Sequence, residues 1–263
     1  MKWWGTYGLE PERWAQWQIG PLTLFAQERR HEWIFGWHTA DDPLQDSLSI
    51  EVSSSAVPDP DDFTFARYAV GDIHSPLELS PKLGDRPFIV RPDSELFLLD
   101  GQQTVLYVST VVWIATCLTD GADKLRTLLE VPARRPSDTW FGPNTLDGEL
   151  CYASRTSART DFDSIVRRPH RAITPVEITN HGSDALPIDQ LRVPVPALSL
   201  YQDQDDRLWT DTVCFVRDEG EREASMTVSE TSAYLPAGRT LLSPPRAPIE
   251  AGTIVEAFSR FLG

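Results

Sequence analysis

The chain has little of what common catalytic and cofactor signatures require. Its 263 residues include three cysteines (Cys117, Cys151, Cys214) and five histidines (His31, His38, His74, His170, His181). The cysteines lie far apart with no C-x-x-C pair, and the histidines show no ligand spacing. A disulfide framework is therefore excluded and no metal site is indicated. No G-x-S-x-G elbow, G-x-x-x-x-G-K-[ST] loop or H-E-x-x-H helix occurs, so no cofactor is implied. Lysine is scarce as well: Lys2, Lys82 and Lys124 are the only ones, and the other 21 of the 24 basic residues are arginines, which codon bias explains most simply. The formal net charge of −15 repels phosphate backbones and argues against nucleic acid as a partner.

Long apolar runs are missing too. The longest uncharged stretch is the 19 residues between Asp100 and Asp120, with Val105–Leu118 as its apolar part. It is shorter than the roughly 20 apolar residues a spanning helix needs, and Ser109 and Thr110 interrupt its β-branched residues. Buried strands are expected there. The start, MKWWGTYGLEPERW, has one early Lys and no apolar run before Glu10. No secretory signal is expected, and the cytoplasm or its membrane-facing edge is the expected compartment.

What the chain has in quantity is turn chemistry. Twenty-one prolines and 15 glycines punctuate short apolar runs. Asp100-Gly101 and Asp147-Gly148 read as tight hairpins, and looser turns fall at 119–124, 180–184 and 218–221. Leu22–Gln27 and Trp33–Trp37 flank a charged link as a hairpin would. Leu48, Ile50 and Val52 alternate with polar residues as in a half-buried strand. Leu96–Leu99 and Val105–Val108 are apolar on both faces and should be central strands, while Leu125–Val131 should pair back on Val111–Cys117. Further strands are expected over Ala172–Thr179, Ile188–Val195, Thr212–Arg217 and Ala224–Val228. Ile254, Val255, Phe258, Phe261 and Leu262 fall at helical spacing and predict a short C-terminal helix. The expected fold is all-β: two sandwich-like halves of antiparallel strands, an N-terminal Trp-rich domain over 1–136 and a C-terminal sandwich with its terminal helix over 137–263.

Candidate sites divide between chemistry and surface. Six of the nine tryptophans (Trp3, Trp4, Trp14, Trp17, Trp33, Trp37) lie in the first 37 residues. They suit core or domain packing first, then a partner surface, then sugar stacking. Asp138, Asp147 and Glu149 near Trp140 and Tyr152 fit a glycosidase pair only loosely, since Asp147 belongs to a turn and nothing marks one acid against the other. Cys151 with His170 and a carboxylate could form a nucleophile set, but its LCYA setting is that of a small buried hydrophobe. Asp203, Asp205, Asp206 and Asp211 lack the glycine and bidentate glutamate of a calcium loop and read as a solvated turn. From Arg134 to Arg171 there are seven arginines and five acids, a local balance of +2 in an acidic chain. That island either meets an anionic partner or is a solvated face paired with neighbouring acids.

The segments RPSDTWFGP (Arg135–Pro143), GELCYASRT (Gly148–Thr156), PHRAITPVEITN (Pro169–Asn180), VPALSLY (Val195–Tyr201) and LWTD (Leu208–Asp211) resemble the domain-of-unknown-function family 432. Less sharply, so do GDRPFIVRP (Gly84–Pro92) and LYVST (Leu106–Thr110). The resemblance covers most of the chain. It implies no established activity and carries over no catalytic residue. Genes of that family often neighbour those of small-conductance mechanosensitive channels, which implies a cytosolic accessory protein of a membrane channel.

The reading from the residues is a protein that binds rather than catalyses. Its expected contact residues are Trp140, Phe141, Tyr152, Arg155, Arg159, Arg167 and Arg168, where loop aromatics coincide with the basic island. A carbohydrate-binding or carbohydrate-active sandwich and a structural homo-oligomer subunit are the alternatives.

Overall fold

The computed structural model describes residues 2–70, 75–119, 124–142, 148–157, 159–220, 224–248 and 254–255. All regular elements among them are strands, apart from two single 3-10 turns at Phe162–Ser164 and Val195–Ala197. The chain groups into two compact units made of alternating segments. The first comprises Met1–Lys82, Val111–Arg135 and Arg168–Arg171; the second comprises Leu83–Thr110, Pro136–Arg167 and Ala172–Gly263.

In chain order the strands begin with β1 (Gly5–Tyr7), β2 (Trp14–Ile19), β3 (Leu22–Arg29), β4 (Glu32–Thr39), β5 (Leu48–Ser54), β6 (Thr64–Ala69) and β7 (Leu77–Lys82). There follow β8 (Phe88–Pro92), β9 (Phe97–Leu98), β10 (Gln103–Val111), β11 (Trp113–Thr119) and β12 (Leu125–Pro132). Next come β13 (Asp138–Phe141), β14 (Glu149–Thr156), β15 (Arg171–Asn180), β16 (Leu186–Pro187), β17 (Leu191–Val193) and β18 (Leu200–Gln202). The last are β19 (Leu208–Thr210), β20 (Thr212–Arg217), β21 (Ala224–Ser229), β22 (Thr240–Ser243) and β23 (Ile254–Val255).

The first unit holds a five-stranded antiparallel sheet, β5-β2-β3-β4-β6, and a four-stranded antiparallel sheet, β1-β7-β11-β12. The predicted hairpin is β3–β4, closed by the two residues Arg30 and His31, and β12 pairs back on β11 as the apolar pattern requires. Alternation explains the burial. On β2, Ala15, Trp17 and Ile19 point inward while Trp14, Gln16 and Gln18 are half-buried. Trp17 stands opposite Leu24, which stands opposite Trp37, so one face of the sheet collects the large side chains. The Tyr7 ring meets Trp17 edge-on at 5.2 Å, joining the two sheets of this unit. Trp3, Trp17, Trp33 and Phe35 are its largest buried groups.

The second unit holds an eight-stranded sheet built from β10, β15 and β18–β23, a four-stranded sheet β13-β14-β8-β17, and the short pair β16-β9. It is not purely antiparallel as expected: β15 runs parallel to β19 and β20, and β14 runs parallel to β8. Between Ile173↔Trp209 and Val176↔Val213 the partner advances one residue further than β15 does, a bulge at Asp211. Pro175, which has no N–H to give a ladder, falls in the same unpaired interval of β15.

Three further expectations change. Leu96–Leu99 is not a central strand: β9 is two residues long, and Phe97 and Leu99 are exposed. Gly101 takes the left-handed φ of +66° expected of a tight turn, but the strands on either side pair with β16 and β15 and not with each other. The C-terminal helix falls mostly outside the described residues, and Ile254–Val255 within it form a strand paired with Ala224 and Ser225. Val105–Leu118 lies on strands β10 and β11. No helix among the described residues is long and apolar enough to cross a membrane.

Candidate functional site

The loop aromatics that the sequence singles out lie on the four-stranded sheet of the second unit. Cross-strand register fixes which face each takes. Asp138 stands opposite Tyr152, and Trp140 opposite Leu150. By the two-residue period these four share one face, while Phe141, Glu149, Cys151 and Arg155 point to the other. The structure thus brings Trp140 and Tyr152 to one side and sends Phe141 and Arg155 to the opposite one.

Tyr152 is buried and held from three directions. Its hydroxyl donates to Asp85 Oδ1 at 2.8 Å, the Arg86 guanidinium lies 5.2 Å over its ring, and the Phe88 ring centroid is 5.4 Å away. Arg86 also pairs with Asp138 at 3.1 Å. Trp140 is different: it sits on the outermost strand, 41% exposed, facing Leu150 at 42%. The approach of Gly148 fixes that indole, since a Cβ there would lie 2.0 Å from Trp140 Nε1 and 2.7 Å from the Phe141 carbonyl oxygen. Only glycine leaves room for the ring.

On the opposite face the remaining chemistry is closed down. Glu149 Oε2 accepts from Arg192 Nε at 2.8 Å and Nη2 at 2.6 Å. Cys151 has no exposed surface, and its thiol is pushed up to about 11 by burial first and by the Glu149 carboxylate second. Its sulfur contacts Glu149 at 4.0 Å, so it stays a protonated, shielded thiol rather than a nucleophile. Asp147 and its turn lie outside the described residues.

The sequence profile described as "Protein of unknown function (DUF432)" matches residues 3–262, essentially the whole chain. The chain belongs to the DUF432 family. Comparison with curated proteins and with solved structures returned no significant match.

The remaining predicted arginines of this DUF432 chain are dispersed. Arg155 and Arg167 are exposed. Arg159 forms a lone bridge to Tyr107, its carbonyl accepting from Tyr107 N at 2.9 Å and its Nε donating to Ser157 Oγ at 3.1 Å. Arg168 belongs to the first unit and donates through Nη1 to the Leu44 carbonyl at 2.6 Å.

The acidic loop after Tyr201 is not simply solvated. Asp203 is buried and accepts from Asp205 N (2.9 Å), Arg207 N (2.8 Å) and Trp209 Nε1 (3.0 Å). Asp211 accepts from Ser199 N at 2.6 Å and the Tyr201 hydroxyl at 2.9 Å, filling the bulge beside β15. Both carboxylates are spent on the fold, and the described residues hold no cluster of three or more metal-ligating side chains. Sequence reasoning missed two groupings. One is the aromatic row Tyr107–Phe162–Trp209, with centroids 5.7 and 5.3 Å apart and the Arg207 guanidinium 5.5 Å over Phe162. The other is the setting of His170, in the first unit. The basic island was the available signal for the second; nothing local marked the first.

Proposed function

We propose that this DUF432 protein works by binding another protein, through a surface centred on the β13–β14 hairpin. The observation that carries this reading is the Trp140–Leu150 pair, two large apolar side chains facing each other and left open on an outermost strand. Isolated exposed apolar residues are ordinary, but an exposed tryptophan paired with a leucine across two antiparallel strands has the make-up of an interface anchor. The outer strand offers a second means of attachment, because a sheet edge can pair with an extended segment of a partner. In this reading Phe141 and Tyr152 hold the hairpin in shape. Arg159 and Arg167 would supply polar contacts at its periphery and Arg155 at the opposite face of the same sheet, while Arg168 belongs to the other unit. A membrane channel of the small-conductance mechanosensitive class is the first partner to test, with this chain on its cytosolic side.

The test is a pull-down from the native host in mild detergent, read by mass spectrometry, with wild type and a Trp140→Ala/Leu150→Ala double variant. The expected result is a specific partner lost in the variant, with an unchanged circular dichroism spectrum and Tm within a few degrees. Equal capture by both proteins would end the proposal. The exposed Trp140 ring also suits a sugar face, which keeps a carbohydrate ligand as the second reading. Asp138 and Glu149, each paired with an arginine, speak against glycosidase chemistry within it. Specific glycan-array binding lost in Trp140→Ala would favour that reading over a protein partner.

A further inference from the structure

In the first unit a short piece of chain, Arg168-Pro169-His170-Arg171, is fastened along its whole length. Trp3 Nε1 donates to the Pro169 carbonyl at 2.7 Å, Val112 N donates to the His170 carbonyl at 3.1 Å, and Arg168 Nη1 donates to the Leu44 carbonyl at 2.6 Å. Gly20, with φ of +57°, presses its backbone against the imidazole; a Cβ there would sit 2.0 Å from His170 Nδ1. The Val112 carbonyl in turn accepts from Ala133 N at 3.0 Å, which brings Arg134 beside the same segment. The result is three guanidinium groups, of Arg134, Arg168 and Arg171, within electrostatic reach of one imidazole.

Two features of this cluster call for a ligand. His170 has no exposed surface, yet neither ring nitrogen has a hydrogen-bond partner. Buried polar groups left unsatisfied are uncommon, and a bound ion is one of the few explanations for them. Secondly, Arg134 and Arg168 both act on the half-buried Arg171 as like charges, an arrangement that costs free energy and that an anion would relieve. Guanidinium forks and an imidazole N–H match a tetrahedral oxyanion, whose several oxygens can be shared among them.

We propose that Arg134, Arg168, His170 and Arg171 form a binding site for a phosphoryl oxyanion. A carboxylate, with two oxygens, fills one fork; a phosphoryl group can engage all three guanidiniums. The same chemistry is offered by free phosphate, a soluble phosphate ester or an anionic phospholipid headgroup. The site is independent of the Trp140 surface, which lies in the other unit.

The experiment titrates the full chain with inorganic phosphate by calorimetry at fixed ionic strength, with chloride as reference, alongside flotation with phosphatidylcholine vesicles with and without phosphatidylglycerol. Saturable binding of phosphate with a rise in Tm beyond that of chloride is expected. It should weaken roughly tenfold or more in Arg168→Gln and in Arg134→Gln, a loss typical of a charge-assisted contact. Arg13→Gln, at an exposed position elsewhere in the unit, should bind as wild type. Should Arg134→Gln unfold, Arg168→Gln carries the comparison, with the His170 imidazole nitrogen shifts as a second readout. Flotation on anionic vesicles that phosphate competes away and Arg168→Gln abolishes assigns the headgroup as the source; phosphate binding without flotation assigns a soluble one. A response equal to that of chloride with no flotation, or variants that bind as wild type, would overturn the site.

Discussion

In the first unit Trp3, Trp17 and Trp33 are almost wholly out of solvent, whereas in the second unit Trp140 leaves two-fifths of its side chain in water. The two settings differ in what surrounds the strand. β2 and β4 lie inside a five-stranded sheet, so that each inward residue meets neighbours on both sides, and Trp17 also meets Tyr7 of the second sheet. β13 is four residues long, lies at the edge of its sheet and leaves Trp140 exposed. The same residue type is thus a core filler where the sheet continues and a half-exposed side chain where it stops. Buried polar groups divide the units in a parallel way: Asp211 in the second has its oxygens met by two donors, while His170 in the first has none.

The hardest test of that contrast is truncation in the first unit. Trp17→Ala removes a fully buried indole and should cost about 3–5 kcal/mol in unfolding free energy, as large-to-small changes of buried aromatics do. Urea denaturation followed by circular dichroism measures it. A loss under about 1 kcal/mol would mean that the sheet repacks and that the burial of its tryptophans is not what stabilises the unit.

The next effect is a pH dependence that the unpartnered histidine supplies. Burial first, and then the charges of Arg171, Arg168 and Arg134, lower His170 from the usual 6.5 to about 3. Below pH 6.5 the unfolded chain takes up a proton at this position and the folded chain does not. Its contribution is therefore complete above that pH and is lost as the pH falls towards 3. The slope reaches about 1.4 kcal/mol per pH unit. Unfolding free energies between pH 7 and about 5, above most carboxylate titration, should fall less steeply in His170→Gln than in wild type. Identical slopes would show that His170 protonates as freely in the folded chain as in the unfolded one.

How far the sequence foretold these places depends on whether the determinants are local. The β3–β4 hairpin was legible because two apolar runs and the charged link between them lie within one stretch. Leu96–Leu99 was misread because an apolar run does not name its partner. The Asn180 side chain, some eighty residues on, donates to the Leu98 and Leu99 carbonyls at 3.1 and 3.2 Å and takes acceptors that a ladder would have used. The parallel pairing of Val176 with Val213 rests on a register between distant segments, which no local pattern records. For the site, the density of turns and aromatics around Trp140 did mark an irregular surface. The separation of Trp140 from Phe141 was in principle readable, since adjacent residues of a strand take opposite faces. The His170 setting was not, because it is assembled from Gly20, Val112 and Ala133 around a four-residue segment.

The smallest effect sharpens the comparison most. Trp140→Ala should change stability by no more than about 1 kcal/mol, since the ring is half in water and the strand beneath it remains paired. Gly148→Ala should cost more, about 1–3 kcal/mol, because the new methyl meets both the indole nitrogen and the Phe141 carbonyl oxygen. Combining the two separates those contacts. With the indole gone, the methyl still faces the backbone oxygen at 2.7 Å, so the double variant should recover part of the Gly148→Ala loss and not all of it. Full additivity would mean that the indole does not lean on Gly148 in solution. Trp140 would then be a mobile side chain rather than a positioned one, and a hairpin that does not fix its ring is a poor anchor for a partner.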